Sequence, residues 1–156
     1  MTEKAGIILS VVVPFFDEEE CVEDVCLEII EIMGNSYRER WELIAVDDGS
    51  SDRTLEILQG LAQNCSKLRL ITILEHFGKS AALNAGFLAA RSDIIGTLDG
   101  DGQNDPADLP MLLNELESRN VDLMIGIRVD RHDNWVRKMS GRLANVLRKD
   151  ASHSGS

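Results

Sequence analysis

The sequence predicts an α/β fold: a mostly parallel sheet with helices on both faces, in the order βαβαβαβαβ. Two observations carry this. Short runs rich in β-branched residues alternate with stretches of helical periodicity, the signature of βαβ units. In addition, polar clusters fall at the end of each predicted strand, where ligands bind in open parallel sheets. The chain of 156 residues, 44% apolar and 28% charged, is sized for one packed core.

The elements follow in order. Ile7–Val13 is a β-branched run suited to a buried strand. Cys21, Val22, Val25, Cys26, Ile29, Ile30 and Met33 then trace one helix face. Asp17 and Glu20 resemble a capping box at its start, and Gly34-Asn35 marks its end. Leu43–Val46 is the second strand. Ser51 is placed to cap a helix carrying Leu55, Leu58, Leu61 and Ala62. Leu68–Leu74 is the third strand, Ser80–Arg91 an Ala-rich helix, and Asp93–Leu98 the fourth strand. Asp105-Pro106 opens a helix that runs to about Arg119. Val121–Ile127 is the expected fifth strand.

The formal charge is 16 − 27 = −11, which argues against a general nucleic-acid binder. It is unevenly spread. Residues 1–127 hold 9 basic and 24 acidic side chains (−15), residues 128–149 hold 7 and 2 (+5), and Asp150 adds −1. Three domains are therefore expected: a core over 1–127, a basic segment over 128–149 and a disordered tail over 150–156. Within 135–149, Val136, Met139, Leu143, Val146 and Leu147 fall on one helical face and Arg137, Lys138, Arg142, Arg148 and Lys149 on the other. Such a basic amphipathic helix either packs on its own domain or meets an anionic membrane surface.

Cys21, Cys26 and Cys65 are odd in number and far from His76, His132 and His153, so neither a disulfide framework nor a zinc site is expected. Cys21 and Cys26 are read as packing residues in a reducing compartment. No signal peptide is visible, and the longest largely apolar stretch, Gly6 to Phe16, is too short to cross a bilayer. His76 is read as polar loop surface, and Trp41 and Trp135 as packing residues. Of Glu18–Glu20, only Glu18 is given a functional reading.

The densest chemistry is Asp99-Gly100-Asp101-Gly102-Gln103. Residues i and i+2 of an extended segment point the same way. Two carboxylates and an amide oxygen are hard donors that suit Mg²⁺ or Mn²⁺ carried by a phosphate substrate. Asp47-Asp48 after the second strand offers a carboxylate for a ribose or base, although acids at a helix start are favourable in any case. A receiver-type phosphoacceptor domain also has strand-end acids. Here, however, the acidic pair follows the second strand instead of the first, and no Lys follows the fifth.

The segments SVVVPFFDEEE at 10–20, IAVDDGSSDRT at 44–54, HFGKSAALNAG at 76–86, TLDGDGQNDPADLP at 97–110 and IGIRVDRHDNWVRKMSGRLANVL at 125–147 resemble, in order, family 2 glycosyltransferases of the GT-A type. The resemblance is strongest to the polyprenol-phosphate branch that includes dolichol-phosphate mannose synthase. It implies a GT-A, Rossmann-like three-layer fold. It also implies metal-dependent, inverting transfer of a sugar from a UDP- or GDP-sugar to a polyprenyl phosphate. Pro14, Phe16, Glu18, Asp47, Asp48, Lys79 and Asp99 would bind the nucleotide. Asp99, Asp101 and Gln103 would hold the divalent cation, with Asp99 and Asp101 the catalytic pair. Arg128, Arg131, Arg137 and Ser140 would meet phosphates of donor or acceptor.

Phe16-Asp17 stands where the family usually has Tyr-Asn. The family's later sequence, including membrane helices, is absent, so the chain is expected to be a domain of a longer protein, peripheral to the cytoplasmic face of the membrane. The alternatives are transfer to a saccharide or other hydroxyl acceptor, and a nucleotide-binding domain without turnover.

Overall fold

In the computed structural model, residues 6–127 are described. Four strands form one parallel sheet: β1 (Leu9–Phe15), β2 (Trp41–Asp48), β3 (Leu68–Ile73) and β4 (Ile95–Thr97), in the spatial order β3-β2-β1-β4. The helices between them are α1 (Val22–Tyr37), α2 (Thr54–Asn64) and α3 (Lys79–Ala89), and α4 (Asp108–Arg119) follows β4.

Strand parity divides the core. Leu9, Val11, Val13 and Phe15 of β1 and Trp41, Leu43 and Ala45 of β2 pack with α1, α2 and α4 through Val22, Cys26, Ile29, Met33, Leu58, Leu109 and Leu113. Val12, Ile44 and Val46 face α3 through Ala82. β1 is buried on both faces, which is why its sequence is a continuous apolar run without alternation. α3 lies so close that a Cβ on Gly86 would stand 2.3 Å from Val12 Cγ1.

The chain winds outward from β1 to β3, then crosses back over the sheet to add β4 on the other side of β1. The strand order thus reverses between β1 and β4. Pro14 is tolerated in this central strand for the same reason. Ser10 N and Val12 O bond toward β4, so the ladder side of Pro14 also faces β4, which has ended at Thr97.

Element boundaries depart from expectation where tertiary contacts decide them. α1 passes through Gly34 to Tyr37, since one Gly costs a helix only about 1 kcal/mol and Tyr37 packs on the core. Asp17 does not cap α1. It has φ 51 and accepts hydrogen bonds from the Ser51 and Asp52 N–H groups. Ser51 does not cap α2; the first bond at that end runs from Arg53 N to Glu19 Oε2. Pro106 sits in the turn before α4, where Asp105 Oδ1 accepts the Ala107 N–H.

The expected fifth strand is corrected: no strand forms across residues 121–127. Val121, Leu123, Ile125 and Ile127 alternate as a strand would, but they lie exposed and no described strand pairs with them. A strand exists through its ladder partner, not through its side-chain pattern. The basic segment from Arg128 onward, including the expected 135–149 helix, lies outside the described residues.

At the end of the sheet opposite the predicted site, Glu42 is buried with its charge compensated. Ser10 Oγ donates to Oε1 at 2.8 Å, Arg91 N to Oε1 at 2.8 Å and Arg69 Nη1 to Oε2 at 2.8 Å. Arg69 also reaches Ala89 O, tying three strands to the end of α3. Burial alone would raise the Glu42 pKa, but Arg69, Ser10 and the Arg91 N–H hold it below the usual carboxylate range. A lowered folded pKa gives stability that is present above the unfolded value, about 4.3, and is lost as pH falls through the folded one. Glu42→Gln should therefore cost roughly 1–3 kcal/mol at pH 7. The gap to the unsubstituted protein should shrink as pH drops below about 4. Urea melts across that range would show it, and a constant gap contradicts the assignment.

Candidate active site

A cleft of about 310 Å³ opens at the carboxyl ends of the strands, lined from the end of β1 and the turn after it (Pro14, Phe15, Phe16, Glu18), the end of β2 (Asp48), the β3–α3 loop (His76), the start of α3 (Lys79) and the segment after β4 (Asp99, Gly100, Asp101). This is the point where the strand order reverses, the expected ligand position in an open α/β sheet.

Asp48 ends β2 with its side chain toward α3. Its carboxylate is buried, yet it lines the cleft. Oδ1 accepts the Phe77 N–H at 3.1 Å and Oδ2 the Gly78 N–H at 2.8 Å, while His76 Nδ1 stands 2.9 Å from Oδ2. The β3–α3 loop is thus fastened to β2 by one side chain. Gly49 allows the two loops to touch: it has φ +71, and a Cβ there would stand 2.8 Å from the Glu75 carbonyl carbon and from His76 N. The His76 ring stacks on Phe16, centroids 3.7 Å apart.

Asp47 points to the other face of the sheet. It is buried, and Ser50 N approaches its Oδ2 at 3.4 Å while Oδ1 has no partner among the described residues. It does not line the cleft. The β1–α1 and β2–α2 loops are laced together: Glu18 N donates to Thr54 Oγ1 at 2.8 Å and Glu19 N to Asp52 Oδ2 at 3.1 Å. Desolvation alone would raise the Asp52 pKa, but hydrogen bonds from Thr54 and the Glu19 N–H hold it below the ordinary range. Cys21 Sγ lies 3.2 Å from Glu18 Oε2 and 3.4 Å from Gly100 O, so it packs under the cleft. Cys26 is a buried thiol, pushed up to about 12 by desolvation, and chemically inert.

Asp99 and Asp101 both line the cleft, and Lys79 Nζ ion-pairs with Asp99 Oδ1. Gly100 between them packs under β1. The Gln103 N–H donates to Asp101 Oδ1 at 2.9 Å; its side chain is exposed and outside the lining. The donor set fits a hard divalent cation: two carboxylates, with a glycine between them that leaves the approach open. Among the described residues no group of three His, Cys, Asp or Glu forms a ready cage. A cation here would complete its shell with substrate oxygens and water, the usual habit of Mg²⁺. Four acids against Lys79 give the lining a formal −3 with His76 neutral.

Of the sequence-predicted residues, Pro14, Phe16, Glu18, Asp48, Lys79, Asp99 and Asp101 meet in one cleft. Asp47 and Gln103 lie beside it. Arg128, Arg131, Arg137 and Ser140 are outside the described residues. His76, read as plain surface, is part of the lining. Its ring partner Phe16 is 60 residues away in sequence, so no local signal marked it.

The profile of glycosyl transferase family 2 matches residues 10–154 of the chain. The chain belongs to glycosyl transferase family 2. It is 43% identical over 141 residues to a dodecaprenyl-phosphate galacturonate synthase of Rhizobium johnstonii, covering 89% of this chain and 41% of that protein. It is 36% identical over 140 residues to an undecaprenyl-phosphate 4-deoxy-4-formamido-L-arabinose transferase of Edwardsiella ictaluri, with 89% and 42% covered. The chain thus spans about two fifths of the length of these relatives. Among solved structures it is similar to a mannosyltransferase of Pyrobaculum calidifontis in complex with GDP-Man and Mn²⁺, at a TM-score of 0.62 and 27% identity over 69% of this chain and 32% of that one. The fold is also that of S. aureus TarS 1-349, at a TM-score of 0.59 and 19% identity over 80% of this chain and 37% of that one.

In this family 2 domain the floor of the cleft depends on Gly100. A Cβ there would stand 2.4 Å from Pro14 O and 2.6 Å from Phe15 Cδ1. Because a backbone atom stands in the way, Gly100→Ala should destabilise the domain by about 1–3 kcal/mol. It should also shift the Asp99–Asp101 segment. Thermal melts measure the first effect; a variant that melts with the unsubstituted protein contradicts the close approach.

Proposed function

We propose that this chain is the donor-binding part of an enzyme that transfers a sugar from a UDP- or GDP-sugar to a polyprenyl phosphate, with a divalent metal and with inversion. The observation that carries it is the cleft of Phe16, Asp48, Lys79, Asp99 and Asp101 at the strand-order reversal, in a domain whose named relatives act on dodecaprenyl and undecaprenyl phosphates. Residues 1–127 are the donor-binding core. Residues 128–149 are a basic segment that meets the acceptor phosphate through Arg128, Arg131, Arg137 and Ser140, and the membrane through its basic stretch 135–149. No helix among the described residues is long and apolar enough to cross a bilayer. The domain is read as peripheral to the cytoplasmic face.

Each part of the cleft has one task in this reading. Pro14 and the stacked Phe16–His76 rings give a surface for a planar base, and Asp48 accepts a hydrogen bond from it. Glu18, near the β1 end, faces the nucleoside. Asp47, buried beneath, accepts the Ser50 N–H in the β2–α2 loop beside Asp48. Asp99 and Asp101 would hold Mg²⁺ or Mn²⁺, with Gln103 fixing Asp101. Such a cation supplies charge stabilisation for the leaving diphosphate. Lys79 neutralises Asp99 and can turn to a phosphate oxygen, a fixed positive charge where negative charge develops.

The acceptor phosphate oxygen forms the new bond to the anomeric carbon. The bond to the diphosphate oxygen breaks with its electron pair leaving on the nucleoside diphosphate, and attack from the opposite side inverts the centre. A phosphate monoester, with its second pKa near about 6, is already anionic at neutral pH, so no general base is assigned.

Titration calorimetry with UDP, GDP and their sugars, with and without Mn²⁺, tests the donor site. Binding of at least one, strengthened by Mn²⁺, is expected; binding of none rejects the reading. Asp101→Asn should lose the Mn²⁺ enhancement by about tenfold or more while retaining metal-free binding. For the basic segment, co-sedimentation with anionic vesicles should fall when Arg137, Lys138, Arg142, Arg148 and Lys149 are replaced by Gln. Unchanged sedimentation removes its membrane role.

A further inference from the structure

Lys79 is the first residue of α3, directly after Gly78. A positive charge works against a helix there, because the N-terminal end of the macrodipole favours anions. No acid stands in the first turn of α3 to offset it. Helix formation therefore gives no reason for a cation at this position. Its side chain instead ion-pairs with Asp99 Oδ1. Both residues line the cleft, and Lys79 is the one Lys or Arg among the described residues that do so.

The pair can open without disturbing the fold. The Lys79 side chain is 59% exposed and that of Asp99 36%, and an exposed pair of this kind contributes little to stability. The backbone on each side is fixed by other contacts. The Phe77 and Gly78 N–H groups are fastened to Asp48, and Gly100, next to Asp99, is wedged against Pro14 O. Only the Lys79 stem has to swing. Asp48 and Asp101 are matched differently, since each accepts backbone N–H groups that stay in place.

We infer that Lys79 is a tethered counter-cation: it holds Asp99 against a free divalent ion and yields it when the ion arrives with a diphosphate, so that metal and nucleotide bind together and the metal does not bind first. This rests on the proposed function. A divalent ion reaching Asp99 alone must displace the ammonium and then lies near a like charge. With a nucleoside diphosphate present, the displaced ammonium has a phosphate oxygen to turn to, and that penalty falls. Each ligand then raises the affinity for the other by the same factor. Lys79 adds this coupling to whatever the metal gains by direct bonding to phosphate.

The experiment is titration with Mn²⁺ alone, with free Mn²⁺ counted by electron paramagnetic resonance, on the full chain, Lys79→Met and Lys79→Arg. Calorimetry of UDP and GDP on the same three proteins, with and without Mn²⁺, follows. Lys79→Met retains a stem of similar length and removes the charge; it should bind Mn²⁺ alone about tenfold more tightly than the full chain. Lys79→Arg retains the charge and should stay as weak as the full chain. The factor by which Mn²⁺ strengthens nucleotide binding should be several-fold smaller in Lys79→Met than in the full chain. Misfolding lowers Mn²⁺ affinity, so it cannot mimic the gain. Mn²⁺ binding by Lys79→Met no tighter than by the full chain, an equal gain in Lys79→Arg, or an unchanged nucleotide factor overturns the role of Lys79 and leaves the donor site standing. Binding of neither nucleotide by any of the three proteins overturns both.

Discussion

The carboxylate of Asp48 is the joint from which the cleft hangs. Asp48 is the last residue of β2, buried, and its two oxygens take the N–H groups of Phe77 and Gly78, the last two residues of the β3–α3 loop. Parallel strands leave such loops without a hairpin partner, and their backbone donors must find acceptors elsewhere. The same solution recurs around this end of the sheet. Asp17 takes the Ser51 and Asp52 N–H groups, Asp52 those of Glu19 and Thr54, Asp101 that of Gln103 and Asp105 that of Ala107. Asp48 thereby holds the loop that carries His76 and leads into Lys79 at the cleft.

The second constraint is steric. β4 ends at Thr97, and the chain then turns under β1 so tightly that only glycine fits at position 100. Pro14 needs that early end, because it has no N–H to offer a longer β4. The missing donor of Pro14, the brevity of β4 and the bare backbone of Gly100 are therefore one arrangement. It puts Asp99 and Asp101 beside the Phe16 end of β1, so that hard oxygen donors and an aromatic face share one opening.

Much of the fold was legible in the sequence because periodicity reports burial. The order of the first four strands and the helices after them follows from it. The failures share a cause. At Val121–Ile127 the side chains alternate, but alternation says nothing of whether a partner edge exists. At Gly34 a local stop signal lost to the packing of Tyr37. In the site, Asp47 and Asp48 could not be told apart, because β2 is buried on both faces and carries no polar alternation to fix which side chain faces which way. His76 falls in the polar cluster after the third strand but was read as surface, since its two partners, Phe16 and Asp48, are set by loop crossing and not by spacing.

The acidic character of residues 1–127 also takes on a more specific meaning. A strand-end acid can meet a ligand or hold a loop, and a carboxylate saturated by N–H donors does mainly the second. Asp17 and Asp52 are committed in this way. Asp48 holds the β3–α3 loop and also lines the cleft. Asp99 differs again, because its ion-pair partner is a side-chain cation on a flexible stem, Lys79, that can be exchanged for another positive charge without moving the backbone. The cleft therefore separates its acids by mobility of partner. Those bound to backbone set the shape, and the one bound to lysine is open to exchange with an incoming cation. In the proposed reading, a cation held by Asp99 and Asp101 would offset the net −3 of the lining and leave Lys79 free for a phosphate.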